Sequence, residues 1–486
     1  MGKQDKTKSL AKNAIFNILY KVMNIFFPLI TTIYISHILM ATGVGKVSAA
    51  QNIVQYFVLL APLGMSTYGT REIAKIRASQ KASNKLFSEL FAINLISSLI
   101  CCFAYYSMVS LVPHFHDERM LYLVAGLPIL FNIINVEWYY QGKEDYVYIA
   151  LRSIAVKGIS LLCILVFVNK PNDYVIYAFI YTLGIAGNYI FNVVNLKKYE
   201  VKLSFTGLRC SRHLKSLFIL LCSSIAIELY TLLDTTMLGI WCEDNVVGYY
   251  TNSIKLVRIV VILIAAIGGV LLPRISYYIE CGRFEECNKL ISTITQIIFL
   301  FAVPLGIGLF LLADDVVWVM FGETFMPAVL TVRIATILIY VLGFSNLFGT
   351  QVLLSFSQEK KLLICTCSGA ISNIAMNSIL IPFYQHNGAV VASVVSESIV
   401  TLLTIWFVKK YIVLDISLKY YAKVIFSGFI MGAVVFLCHS LIRIPILAIG
   451  LSVLIGACVY FIVNIILKNQ LVLFGVKIIR NKVIKK

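Results

Sequence analysis

Apolar runs of about twenty residues, the length a helix needs to cross a bilayer, recur along the whole chain and limit what it can fold into more than any other feature. Fourteen such runs begin near Asn13, Lys46, Lys85, Arg119, Val147, Tyr174, Leu214, Val246, Asn288, Phe325, Leu362, Gly388, Tyr420 and Ile444. Composition agrees: 60% of the 486 residues are hydrophobic and 13% are charged, and the mean hydropathy is +0.88, outside the soluble globular range. No stretch between the runs is long enough for a soluble domain. The expected fold is therefore an all-α polytopic membrane protein with about 14 transmembrane helices. The first run follows MGKQDKTKSLAK and continues past Ile38 without a small-residue cleavage site, which reads as a retained helix and not a signal peptide.

A net charge of +18 could point to nucleic acid, but its distribution points to topology instead. Lys and Arg number 32 over the termini and alternate loops, including six across Lys197–Lys215 and six across Lys468–Lys486, while the intervening loops hold Lys46, Arg119, Lys170 and Arg443. Strict alternation of this kind places both termini in the cytoplasm of a multi-pass protein. Trp138, Trp241, Trp318 and Trp406 all fall at expected helix ends, where an indole favours the headgroup level. The 12 cysteines have no metal-ligand or paired extracytoplasmic spacing. The sequence offers no nucleotide-binding glycine loop, and no nucleic-acid partner, metal or other cofactor is expected.

The chain also repeats itself. TGVGKVSAAQNIVQYFVLLAPLGMSTYGTRE (42–72) lies without a gap over NVVGYYTNSIKLVRIVVILIAAIGGVLLPRI (245–275), pairing Gly45 with Gly248 and Arg71 with Arg274. Six helices separate the two copies, so they point the same way. The expectation is two parallel-related six-helix bundles, 1–205 and 206–412, followed by two additional helices and a basic tail over 413–486. Repeated transporter folds place the substrate between such bundles near the midplane, which directs attention to the first, second, seventh and eighth helices.

Polar residues on those helices recur at helical spacing. The first carries Asn13, Asn17, Lys21, Asn24, Pro28 and Thr31; the second Ser48, Asn52, Gln55, Pro62 and Ser66; the seventh Ser224, Glu228, Thr231 and Asp234; the eighth Thr251, Lys255 and Arg258. Small polar residues can simply join helices. The charges are harder to dismiss, since each costs roughly 2.5–3.5 kcal/mol at the bilayer centre on the insertion scale. Two readings stand. Asp234 with Lys255 and Glu228 with Arg258 could form interhelical ion pairs, or Lys21, Lys255 and Arg258 could form a basic site for an anion with Glu228 and Asp234 as counter-ions. Asn17, Asn24, Asn52, Gln55 and Thr251 are the expected polar cavity lining. Glu397, mid-span among Ser393, Thr401 and Thr404, joins Glu228 and Asp234 as a candidate for coupling to H+ or Na+. Arg333 is expected to snorkel, and Lys157 either to snorkel or to face the cavity. Glu89, Glu137, Asp314 and Asp315 are expected to be solvated.

Several stretches together resemble the polysaccharide-repeat flippases, the O-antigen and capsule branch of the superfamily that also holds multidrug and toxin extrusion transporters and the lipid II flippase. They are KNAIFNILYKVMNIFFPLITTIYISHIL, YFVLLAPLGMSTYGTREIAK, EWYYQGKEDYVYIALRSIAVKGISLL, YTLLDTTMLGI with VGYYTNSIKLVRIV, and NLFGTQVLLSFSQEKKLLI. The resemblance implies a two-bundle fold in the bacterial plasma membrane that moves an undecaprenyl-diphosphate-linked oligosaccharide between leaflets, with Lys21, Lys255 and Arg258 on the lipid diphosphate. A polysaccharide polymerase and a chain-length regulator are the candidate partners besides that substrate and membrane lipid. Ser36–His37 stands where many members carry a basic residue at the outer end of the first helix. A drug exporter of the same fold would suit a more acidic pocket, and a membrane polymerase or ligase would need a larger extramembrane domain or a catalytic loop.

Overall fold

A computed structural model describes residues 3–76, 79–204, 206–269, 272–414, 417–442 and 444–484; the side chains of 3–25, 223, 224, 226, 227, 229, 230, 266–269, 272, 273 and 478–484 are outside this description. The chain is helical throughout: α1 Lys3–Leu60, α2 Met65–Ile76, α3 Gln80–Leu111, α4 Arg119–Ala125, α5 Leu127–Phe131, α6 Glu137–Gly142, α7 Tyr146–Phe167, α8 Tyr174–Asn195, α9 Ser211–Trp241, α10 Asp244–Gly269, α11 Leu272–Glu280, α12 Phe284–Leu311, α13 Ala313–Phe321, α14 Val329–Ser345, α15 Glu359–Val408, α16 Leu418–Leu441, α17 Pro445–Ile466 and α18 Gln470–Ile484. Ten helical stretches among the described residues are long and apolar enough to cross a membrane, which makes this a polytopic membrane protein. Two of the helices are interrupted. Met40 (φ 57°, ψ −176°) divides α1 and Gln385 (φ 48°, ψ −128°) divides α15, each leaving two helical arms. The first break falls in the gap the sequence leaves between the runs that end after Ile38 and begin near Lys46.

Two compact units divide the chain, Met1–Gly248 and Tyr249–Lys486. In the first, α1 packs on α7 and α9, α7 on α8, and α2 on α6. Its densest part is aromatic: Phe87 lies 5.4 Å from both Trp138 and Tyr139 by ring centroid, and Met65, Tyr68, Leu90 and Leu217 close the cluster. Leu217 belongs to α9, which is one reason that helix groups with the first unit although the sequence-based boundary lay at 205/206. Trp138 is buried here, which corrects its reading as a headgroup anchor; Trp241, Trp318 and Trp406 are exposed.

The second unit is built on α12, which packs on α14 and α16, while α14 packs on α15 and α16 on α17. The last two membrane helices are tied in by tyrosines: Tyr420 donates to the Gln296 carbonyl and Tyr460 to the Leu300 carbonyl, each at 2.8 Å. Small residues allow close approach, since a Cβ on Gly428 would lie 2.5 Å from the Val303 side chain. The helix bearing Arg71, α2, rests on α6, and the helix bearing Arg274, α11, rests on a π-helical turn at Asn346–Leu353.

Candidate functional site

The first unit encloses a polar cavity of about 430 Å³, within the roughly 300–1,000 Å³ typical of small-molecule pockets. A broken apolar segment, Arg119–Ile134, runs up to one of its lining residues, Asn135. Gly126 ends α4 where a Cβ would come within 2.2 Å of the Tyr105 ring, Pro128 opens α5, and a 3-10 turn follows at Asn132–Ile134. Breaking a helix inside a membrane frees backbone carbonyls that need donors. Asn94 on α3 supplies them, donating to the Asn132 carbonyl at 2.6 Å and to that of Ile133 at 3.2 Å. Discontinuous segments of this sort are where transporters build their sites.

One wall is α7 with α8. Arg152 is buried and each of its three nitrogens donates once: Nη2 to Glu137 Oε2 at 2.9 Å, Nε to Asn188 Oδ1 at 3.0 Å, and Nη1 to Asn192 Oδ1. Asn188 and Asn192 are four apart and so share a face of α8. Glu137 begins α6, and its second carboxylate oxygen accepts from Gln141 at 3.5 Å. The turn that brings Glu137 back to Arg152 is held by Asp145, which caps the backbone amide of Tyr148 at the start of α7. Lys157 also lines the cavity, with Nζ 5.6 Å from the Phe27 ring centroid. Ser66, Asn135, Ser153 and Tyr189 contribute further polar groups, and the buried Trp138 borders the cavity.

Sequence reasoning missed most of this cavity and misjudged one of its charges. Glu137 is not solvated but paired with Arg152, which stands inside α7. Lys157 faces the cavity, one of the two positions expected for it. Glu89 is also not solvated: its side chain is 0% exposed, and it accepts from the Arg209 amide at 3.0 Å and pairs with Arg212 at 2.5 Å. In the second unit Arg333 reaches Asp314, whose side chain is 42% exposed, as a snorkelling arginine would, while Asp315 is less solvated than expected, 17% exposed and 3.0 Å from His439. An arginine inside an apolar run together with two asparagines at helical spacing was the available signal for the cavity.

The predicted site residues divide among different environments. Lys21, Asn17 and Asn24 fall on side chains outside the described residues. Asn52 is buried and joins helices: its Nδ2 donates to Thr236 Oγ1 at 2.7 Å and to the Leu232 carbonyl at 3.2 Å on α9. Gln55 and Glu228 are exposed, Asp234 is buried, and Thr251 is half-buried. Lys255 and Arg258 stand three apart on α10, hence on one face, and both are exposed. Neither has an ion pair among the described residues. Glu397 is buried in the second arm of α15. The two arms approach closely there, since a Cβ on Gly369 would lie 2.3 Å from the Val400 side chain. Asn373 and Asn377 are also buried, and Asn377 donates to Asn373 at 3.1 Å.

Comparison with known proteins adds the following. A family model described as "Polysaccharide biosynthesis protein" matches residues 10–279. A protein of Escherichia coli described as an O-antigen transporter is 23% identical over 406 residues, covering 82% of this chain and 97% of the other. A Haloferax volcanii protein described as a low-salt glycan biosynthesis flippase is 21% identical over 50% of this chain and 52% of its own. Among solved structures, a lipid II flippase in an inward closed conformation matches 94% of this chain and 100% of its own with a TM-score of 0.76 at 16% identity. An inward-facing multidrug transporter covers 82% of this chain and 97% of its own with a TM-score of 0.64 at 13% identity.

Proposed function

The chain belongs to the polysaccharide biosynthesis protein family, and from that premise we propose that it is a flippase carrying an undecaprenyl-diphosphate-linked oligosaccharide repeat unit across the bacterial plasma membrane by alternating access. The observation that carries this reading is the placement of Lys255 and Arg258: two cations on one face of an apolar helix, exposed, with no acid paired to either among the described residues. Two cations at membrane depth need water or an anion. A diphosphate meets the need, because the planar Arg258 fork matches phosphate oxygens and Lys255 adds a compact charge. The family resemblance assigns Lys21 the same role.

The multidrug transporters share the fold but would export cations, for which an exposed basic pair is the wrong polarity. A polymerase or ligase is disfavoured because the Escherichia coli relative, matched over 97% of its length, is described as a transporter. The charge alternation supports a topology with both termini in the cytoplasm. A coupling ion, H+ or Na+, would act at the buried carboxylate Glu397, with Asp234 and Glu228 as further candidates. The test is export by cells: Lys255→Ala and Arg258→Ala protein at normal membrane levels should abolish surface polysaccharide and leave lipid-linked repeat units in the inner leaflet. Normal export from either variant would overturn the proposal.

A further inference from the structure

The cavity of the first unit has the chemistry of a sugar site more than of a phosphate site. Resting on the reading that the chain moves a lipid-linked glycan, we propose that this cavity receives one sugar ring of that glycan and recognises it through its hydroxyls. Arg152 is poorly suited to a diphosphate here, because Glu137, Asn188 and Asn192 take three of its five N–H donors, Glu137 offsets its charge and its side chain is 4% exposed; the other lining cation, Lys157, has its Nζ 5.6 Å from the Phe27 ring centroid. Glu137 on the same wall repels a phosphate, yet its carboxylate accepts readily from an O–H. Asn135 and Gln141 each use one amide proton internally, on Asn132 Oδ1 at 3.0 Å and Glu137 Oε1 at 3.5 Å, and keep a second. Amides that donate beside a carboxylate that accepts match vicinal hydroxyls, which do both. The buried edge of Trp138 borders the cavity, and its Nε1 has no hydrogen-bond partner among the described residues. The wall is already fixed by its own hydrogen bonds, so a ring that enters need not order it.

The test uses the full-length protein in detergent with D-glucose, D-galactose, N-acetyl-D-glucosamine and D-glucuronate as probes and inorganic diphosphate as control. Two readouts guard against loss of a variant: saturation-transfer NMR on the unaltered chain, and Trp138 emission after Trp241→Phe, Trp318→Phe and Trp406→Phe. At least one sugar should bind saturably, and Gln141→Leu and Asn135→Leu should each weaken it roughly tenfold, the loss of about one buried hydrogen bond. The two variants should leave diphosphate binding unchanged. Absence of transfer to all the sugars, binding indifferent to both substitutions, or displacement of the sugar by diphosphate would overturn the proposal. Export in cells lacking this chain separates the two readings: export lost without it but no sugar binding refutes only this pocket, whereas normal export without it refutes the transport reading beneath it.

Discussion

Gly45 and Gly248, which the internal repeat equates, lie against each other. A Cβ built on Gly45 would sit 3.1 Å from the Gly248 amide nitrogen and 1.6 Å from the Asp244 carbonyl oxygen, while one on Gly248 would sit 3.3 Å from the Gly45 nitrogen and 2.3 Å from the Ala41 carbonyl oxygen. The contact is reciprocal and backbone to backbone, so no rotamer change can make room. Only glycine permits this approach of the second arm of α1 to the start of α10.

Gly45→Ala should therefore lower surface polysaccharide severely, by roughly tenfold or more, because the methyl must push two helices apart and overpacking of a tight contact costs about 1–3 kcal/mol or more. Gly450→Ala is the matched control, with no atom within 4 Å of the added methyl. Export measured at equal membrane levels checks both. Equal export from the two variants would mean the Gly45 contact is dispensable.

Glu89 predicts a stability effect. It pairs with Arg212 and lies 3.0 Å from His213, whose other ring nitrogen is 2.7 Å from the Tyr68 hydroxyl. Four separated pieces of chain thus meet at one buried carboxylate: α2, α3, the 196–210 connection and the first turn of α9. Glu89→Gln should destabilise by about 3 kcal/mol, the lower end for breaking a buried pair. Arg212→Ala should cost less, since the Arg212 side chain is 51% exposed and stays hydrated. Thermal unfolding of the two purified variants gives the comparison.

The contrast between these sites explains what the sequence could reveal. Helices were legible because an apolar run and its flanking charges are local, and the polar face at Thr251, Lys255 and Arg258 was legible because it lies within one helix. Glu89 was not, since its partners are more than a hundred residues away and its sequence neighbours resemble a solvated cytoplasmic end. Glu137 and Arg152 are only 15 apart, but their pairing depends on the turn capped by Asp145, which helical periodicity does not encode. Asn52 shows the converse error: its place in a polar stripe suggested a cavity, whereas its amide fastens α1 to α9.

Glu397 is the residue on which ion coupling is expected to depend. A cation drives one conformation only if its affinity differs between states. Glu397→Gln should uncouple transport, leaving a slow export that no longer responds to collapse of the H+ or Na+ gradient. Uptake or export measured with each gradient dissipated separately decides it, and an unchanged response would remove Glu397 from coupling.

Topology gives an independent check. A single cysteine at Lys202, in a chain otherwise free of reactive cysteine, should resist an impermeant maleimide added to intact cells and react after permeabilisation. Labelling from outside would invert the proposed orientation.

The most direct measurement follows the substrate itself. Purified protein in proteoliposomes is given a fluorescent undecaprenyl-diphosphate-linked oligosaccharide in one leaflet, and its arrival in the other is read by a membrane-impermeant quencher. The unaltered chain should move the lipid, Lys255→Arg should retain part of the rate, and Lys255→Ala and Arg258→Ala should fall to that of empty liposomes, because charge is needed at position 255 and the guanidinium fork at 258. Equal rates with the unaltered chain and with protein-free vesicles, or full rates from both alanine variants, would contradict the account.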